Sequence, residues 1–266
     1  MPELSVFQFS LVYNMLSLAI ASMLGSFAFF VMARSQVSKR FRPALVMSSL
    51  VVGIAGYHYW RIFGSWDAAY QLNEAGTAYF ATGKPFNDAY RYVDWLLTVP
   101  LLVAELVAVM TLAKGKRGPM MAKLIIASAL MIGLGYPGEV TSDPVMAVVW
   151  GILSSIPFVY ILYVLWVELT KAAEGESGEV KVLLRNTKLL LLGTWGFYPI
   201  TYILGIESLG LIGGASALVA LQVGYSLADI TAKCGYGVMI YAIARARMAS
   251  AGEDVDEHAP VAVSAK

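Results

Sequence analysis

Seven stretches of this chain are each long and apolar enough to cross a lipid bilayer, and this leaves few folds open. They run over about 9–33, 44–63, 90–113, 120–136, 145–170, 182–204 and 212–244. A spanning helix needs about 20 mostly apolar residues. Inside the hydrocarbon every backbone polar group must find a partner within the protein, so only helices and closed barrels persist there. The runs are continuous rather than alternating, which argues against a barrel. The expected fold is an all-α membrane protein, a seven-transmembrane helix bundle. Composition agrees: 58% of the 266 residues are hydrophobic and 14% charged, against about 25% charged in soluble domains.

A net charge of +1 makes no case for nucleic acid. The single cysteine, Cys234, lies in an apolar run. It cannot close an intrachain disulfide or build a zinc site, so no metal is expected. No basic segment followed by a short apolar stretch and a small-residue cleavage site begins the chain. The first span is then its own insertion signal.

Lys and Arg concentrate in alternate loops. Arg34, Lys39, Arg40 and Arg42 fill the first, Lys114, Lys116 and Arg117 the third, Lys171 and Lys181 the fifth, and Arg245 and Arg247 follow the last span. The intervening loops carry Asp67, Glu74, Lys84 and Asp88, then Asp143, then Glu207. This asymmetry predicts an outer N-terminus and a cytoplasmic C-terminus. Residues 1–250 form one membrane domain in this reading. The longest loop, 64–89, holds Gly76, Thr77, Tyr79, Phe80, Thr82 and Gly83, which predict a short β-hairpin. The acidic, small-residue tail 251–266 is expected to be disordered.

Ionisable residues inside spans are costly and therefore informative. Here they are His58 and Arg61 in the second span, Arg91, Asp94 and Glu105 in the third, and Asp229 and Lys233 in the seventh. Lys233 is too central to snorkel. Its chemistry leaves two readings open: a buried amine nucleophilic enough to form a Schiff base with an aldehyde, or a lysine paired structurally with Asp229, one helical turn away. Asp94, Thr98 and Glu105 fall within roughly 40° of one another on a helix, and the two carboxylates stand about 16 Å apart along its axis. Two carboxylates on one apolar helix suit a proton relay better than a packing seam. Trp95, Trp195, Tyr198 and Tyr225 are candidates for a chromophore box, although aromatic residues in a bundle are more often packing. Pro100, Pro157 and Pro199 free backbone carbonyls inside spans.

RYVDWLLTVPLL in the third span and SLADITAK in the seventh resemble the microbial (type 1) rhodopsins, especially the proteorhodopsin and xanthorhodopsin group. The resemblance covers about 7–246. It implies that Lys233 carries all-trans retinal as a Schiff base, that Asp94 is proton acceptor and counterion, Asp229 the second counterion, and Glu105 the cytoplasmic donor. Arg91 lies below the counterions, Thr98 between acceptor and donor, and His58 pairs with the acceptor. Implied retinal contacts are Trp95, Thr98, Leu102, Met131, Gly135, Phe158, Trp195, Tyr198, Pro199 and Tyr225, with Leu102 at the colour-tuning position. Gly151 replaces a bulky residue, opening a window that lipid or a carotenoid antenna fills.

The Asp-Thr-Glu triplet is the pattern of outward proton pumps, and implies a light-driven transporter of the plasma membrane rather than an enzyme. The resemblance also implies a homo-oligomer, a trimer or a pentamer. The archaeal proton-release pair is not matched, because its seventh-span member falls near Leu221 and Glu207 lies in a loop. The rival readings are a sensory photoreceptor, a light-gated ion channel, and a Schiff-base enzyme or receptor.

Overall fold

The computed structural model describes residues 1–112, 115–205, 211, 213–253 and 255. Lys114, Glu207 and almost all of the tail lie outside these residues. Strand β1 (Leu4–Ser5) leads directly into α1 (Val6–Ala33). A capping box starts that helix: Gln8 N donates to Ser5 Oγ at 3.1 Å, and Ser5 N to Gln8 Oε1 at 2.9 Å. Each satisfies a backbone donor that the first helical turn leaves open. A 3₁₀ turn (Arg34–Gln36) connects to α2 (Arg42–Ala69), which starts on Pro43.

Helix α2 outruns its apolar stretch. Its last turns bury Trp66 and Ala69 under the aromatic cluster of Phe9, Tyr70 and Tyr79. Strands β2 (Tyr70–Leu72) and β3 (Ala78–Ala81) then pair antiparallel, and β1 adds to the other edge of β3 in the order β1-β3-β2. The turn closes on Asn73, whose Oδ1 accepts from Thr77 N at 2.8 Å. Gly76 supplies the φ of +70° there, which residues with a Cβ rarely adopt.

Helices α3 (Tyr90–Val109), α4 (Arg117–Val140) and α5 (Pro144–Glu174) follow. The sixth span is broken into α6 (Gly178–Trp195) and α7 (Phe197–Gly205) at Gly196. Pro199 explains the break, because without an N–H it leaves the Trp195 carbonyl, four residues back, without its helical partner. The seventh span is α8 (Gly214–Asp229), a π-helical segment (Ile230–Gly235) and α9 (Tyr236–Ala251). The sequence reads as one continuous run here, and nothing in its hydropathy marks the π segment.

The spans pack in a closed order, α1 on α2, α2 on α3, and on round to α7 on α8 and α8 on α1. The result is an all-α seven-helix membrane bundle. Its outer face is apolar: Val145, Ile152, Ile156, Val159 and Tyr163 of α5 are all exposed, an arrangement that is stable only in lipid. Among the described residues, five segments qualify as spans by length and apolarity alone. Helix α2 falls short because it carries His58, Arg61 and Asp67, and the sixth span because it is broken and begins with Glu179, Lys181 and Arg185.

Candidate functional site

The π segment places Lys233 on the inner face of the seventh span, against α3. Its Nζ lies 2.8 Å from Asp94 Oδ2 and 2.7 Å from Asp229 Oδ1. All three side chains are buried, with Lys233 at 2% exposure and both aspartates at 0%. One ammonium between two carboxylates pairs each buried charge with an opposite one, since an unpaired buried charge is strongly destabilising.

The two carboxylates are held differently. Asp229 Oδ2 accepts from Tyr59 OH at 2.8 Å. Its Oδ1 accepts from Trp95 Nε1 at 3.1 Å and from Tyr198 OH. Asp94 Oδ1 has no hydrogen-bond partner among the described residues. Protonating Asp94 therefore disturbs fewer hydrogen bonds than protonating Asp229.

His58 approaches this free oxygen but does not bond it: Nδ1 is 4.0 Å from Asp94 Oδ1. The same nitrogen is 2.9 Å from the Ile54 carbonyl, one turn back on α2. A ring N–H donated there orients the imidazole beside the carboxylate. Thr98 donates to the Asp94 carbonyl at 2.9 Å and is fully buried. Arg91 is buried at 2% exposure, between the rings of Tyr59 and Tyr225. Its Nη1 donates to Gln222 Oε1 at 2.7 Å, and Gln222 Nε2 donates to Asp88 Oδ2 at 2.7 Å. Arg91 thus reaches Asp88 both through Gln222 and across a 3.8 Å ion pair.

Glu105 lies apart from this cluster, further along the same stripe of α3. It is fully buried, and Ser48 of α2 donates to its Oε2 at 2.5 Å. Its Oε1 is without a partner among the described residues. Around it Leu102, Val103 and Leu106 are buried and apolar, so the carboxyl is closed off from bulk water.

A cavity of about 380 Å³ runs away from Lys233 between α3, α4, α5 and the sixth span. Drug-sized pockets begin near roughly 300 Å³. Trp95, Leu102, Met131, Gly135, Phe158, Gly151, Trp195, Tyr198, Pro199 and Tyr225 all line it. Thr98, expected among them, does not; its hydroxyl is turned to its own helix backbone. The lining is almost wholly apolar, with the amine at one end. It suits a long, flat, apolar molecule ending in an aldehyde, and the amine between two carboxylates suits a cation formed there.

A Cβ at Gly135 would lie 3.2 Å from both Ser154 Oγ and Tyr92 Cε1, so those side chains would have to give by a few tenths of an ångström. Gly151 lines the cavity beside the outward-facing Ile152. The ring of Tyr202 lies over the glycine, 2.9 Å from where a Cβ would stand, and Tyr202 OH donates to the Ala147 carbonyl at 2.9 Å. The cavity nevertheless reaches Ile152 and Ser155, which face outward beside that glycine.

Sequence reasoning missed several participants. Tyr59 bonds Asp229, Ser48 bonds Glu105 and Gln222 links Arg91 to Asp88, and Tyr92 donates to the half-buried Glu139 at 3.4 Å. Gln222 had a readable signal: it is a lone amide in a span, seven residues before Asp229 and so on the same helix face. Tyr59 and Ser48 had none, because a tyrosine or serine in a span is common.

A family model described as bacteriorhodopsin-like protein matches residues 11–247. The green-light absorbing proteorhodopsin of Gamma-proteobacterium EBAC31A08 is 32% identical over 230 residues, covering 85% of this chain and 84% of that protein. The crystal structure of thermophilic rhodopsin is 55% identical, with a TM-score of 0.88 and coverage of 95% of this chain and 99% of that one. Xanthorhodopsin, described as a light-driven ion pump with dual chromophore, is 52% identical, with a TM-score of 0.88 and coverage of 96% and 100%.

Proposed function

The chain belongs to the bacteriorhodopsin-like family, as a multi-pass plasma-membrane rhodopsin of the proteorhodopsin and xanthorhodopsin group, and on that premise we propose that it is a light-driven outward proton pump with retinal on Lys233. The observation that carries this reading is Lys233 Nζ, held between Asp94 and Asp229 at the closed end of an apolar cavity. Retinal joined to that nitrogen through an imine would supply the absorption of visible light and the displacement that starts the cycle.

The protein's own groups then move the proton. The Nζ proton passes to Asp94 Oδ2, 2.8 Å away. Asp94 is the acceptor because it keeps an oxygen without a donor, while three donors hold Asp229 as a carboxylate. His58, beside Asp94 but bonded to Ile54, stays close enough to respond to the change of charge. Glu105 returns a proton to Nζ from the other side and refills from the cytoplasm. Its dry pocket holds the proton there until a path opens, and the bond from Ser48 fixes the position of the carboxyl. Movement at the α6–α7 break, beside Trp195 and Pro199, is the candidate for switching Nζ from one side to the other.

The direction rests on the loop charges: with the N-terminus outside, α3 runs inward from Arg91 to Glu105. The cavity mouth at Gly151 and Ile152, and the likeness to a pump described as having a dual chromophore, make a carotenoid the candidate second chromophore. Tyr202 sets how far such a ring can enter.

Illumination of cells in unbuffered medium tests the pump. Acidification abolished by a protonophore is expected; no pH change, or an alkalinisation, would overturn the reading. Lys233→Ala must also remove the visible band on addition of retinal.

A further inference from the structure

Outside the retinal cavity, the described residues form a second pocket of about 690 Å³, where the turn after α1 meets the start of α2. Three cations, Arg34, Lys39 and Arg42, stand around it, and Val46 and Met47 of α2 line its apolar side. The neighbouring Arg40 is already engaged, with its Nη2 2.9 Å from Glu253 Oε1. Arg34 forms no ion pair with any described residue. Arg42 donates Nε to the Val37 carbonyl at 3.3 Å, and its terminal nitrogens have no partner among the described residues.

The pocket lies at the level where spanning helices leave the hydrocarbon. Further into the two helices from it, Met32 of α1 and Leu50 of α2, one turn beyond Val46, are 64% and 47% exposed. A ligand that satisfies both halves carries a negative group for the arginines and an apolar chain for Met32, Val46 and Leu50. A basic pocket between spanning helices, opening at the headgroup level, has this chemistry. The positive end of the α2 macrodipole adds to it in the first turn. We propose that this pocket binds an anionic phospholipid, its headgroup on Arg34 and Arg42 and its chain along α1 and α2. Under the orientation proposed above the lipid belongs to the cytoplasmic leaflet, but the site depends on neither that orientation nor pumping.

The test is native mass spectrometry of the full-length pigment, released from micelles holding equal amounts of phosphatidylglycerol and phosphatidylcholine. Bound lipid should be mainly phosphatidylglycerol. One cation at an anionic surface is worth roughly fivefold in binding, so Arg34→Gln should lower the bound glycerol-to-choline ratio by about that factor. Arg40→Gln, which removes the same charge beside the pocket, should change it less than about twofold. The visible band reports that each variant is folded. Equal retention of the two lipids would overturn the proposal, as would an Arg40→Gln effect as large as that of Arg34→Gln. Displacement of the lipid by inorganic phosphate would assign the pocket to a free anion instead. Retention that appears only in a chain ended after Gly252 would assign it to the acidic tail.

Discussion

At the scale of single residues, the two aspartates on Lys233 differ in how they are satisfied rather than in how far away they are. Both sit within hydrogen-bond reach of Nζ, yet only Asp229 is bonded by Tyr59, Trp95 and Tyr198. This makes two distinguishable predictions. Asp94→Asn should leave a coloured protein in which the flash-induced deprotonation of Nζ is lost. Asp229→Ala leaves Trp95 Nε1 and Tyr198 OH without their acceptor, at about 1–3 kcal/mol each, while Tyr59 OH keeps the Tyr225 carbonyl at 3.2 Å, so the larger loss should be in the thermal stability of the pigment. Comparable melting temperatures for the two variants would contradict this assignment.

Glu105 offers a second pair. Glu105→Gln removes the acid and should slow the return of the proton to Nζ by roughly a hundredfold, the usual range for a positioned acid. Ser48→Ala removes only its hydrogen bond, about 1 kcal/mol, and should change the same rate by roughly fivefold. Flash photolysis reads both, and an unchanged rate in Glu105→Gln would remove it as the donor.

At the scale of elements, the departures from regular helix matter most. The π segment Ile230–Gly235 holds one residue more than α-helix would in the same length. Deleting Ala232 would restore regular helix with the flanking segments left in place, and would move Lys233 from four residues after Asp229 to three. Lys233 and Asp229 would no longer share their relation to α3, and the protein should no longer form pigment with retinal. Normal pigment from that deletion would mean that the π turn is incidental.

The break at Gly196 is of the same kind. Pro199 was readable as a helix disturbance, because a missing N–H is a local property. The π turn was not, because ITAKCG has no residue that demands it. Tyr202 shows a third limit: Gly151 is visible in the sequence, but the ring that covers it comes from another helix.

At the scale of the whole molecule, the bundle was legible from hydropathy, and the closed packing of seven spans agrees with it. Two spans are weak by composition: His58 and Arg61 lower the apolarity of α2, and the sixth span is broken and begins with charged residues. Orientation is a property of the molecule in its membrane. A fluorescent tag after the tail should be protected from added quencher in intact cells, and a tag before Met1 should be quenched. The reverse result would invert the pump.

The sequence by itself determined the number of spans, the buried ionisable residues and the stripe that joins Asp94 to Glu105. These follow from the cost of polar groups in hydrocarbon and from the fixed period of a helix, both local in the chain. The tertiary structure decided which oxygen of Asp94 is left free, that Ser48 holds Glu105, that Gln222 anchors Arg91, and that Tyr202 closes over Gly151. Each of these is a contact between helices, set by how side chains from different spans meet, and no periodicity within one span encodes it.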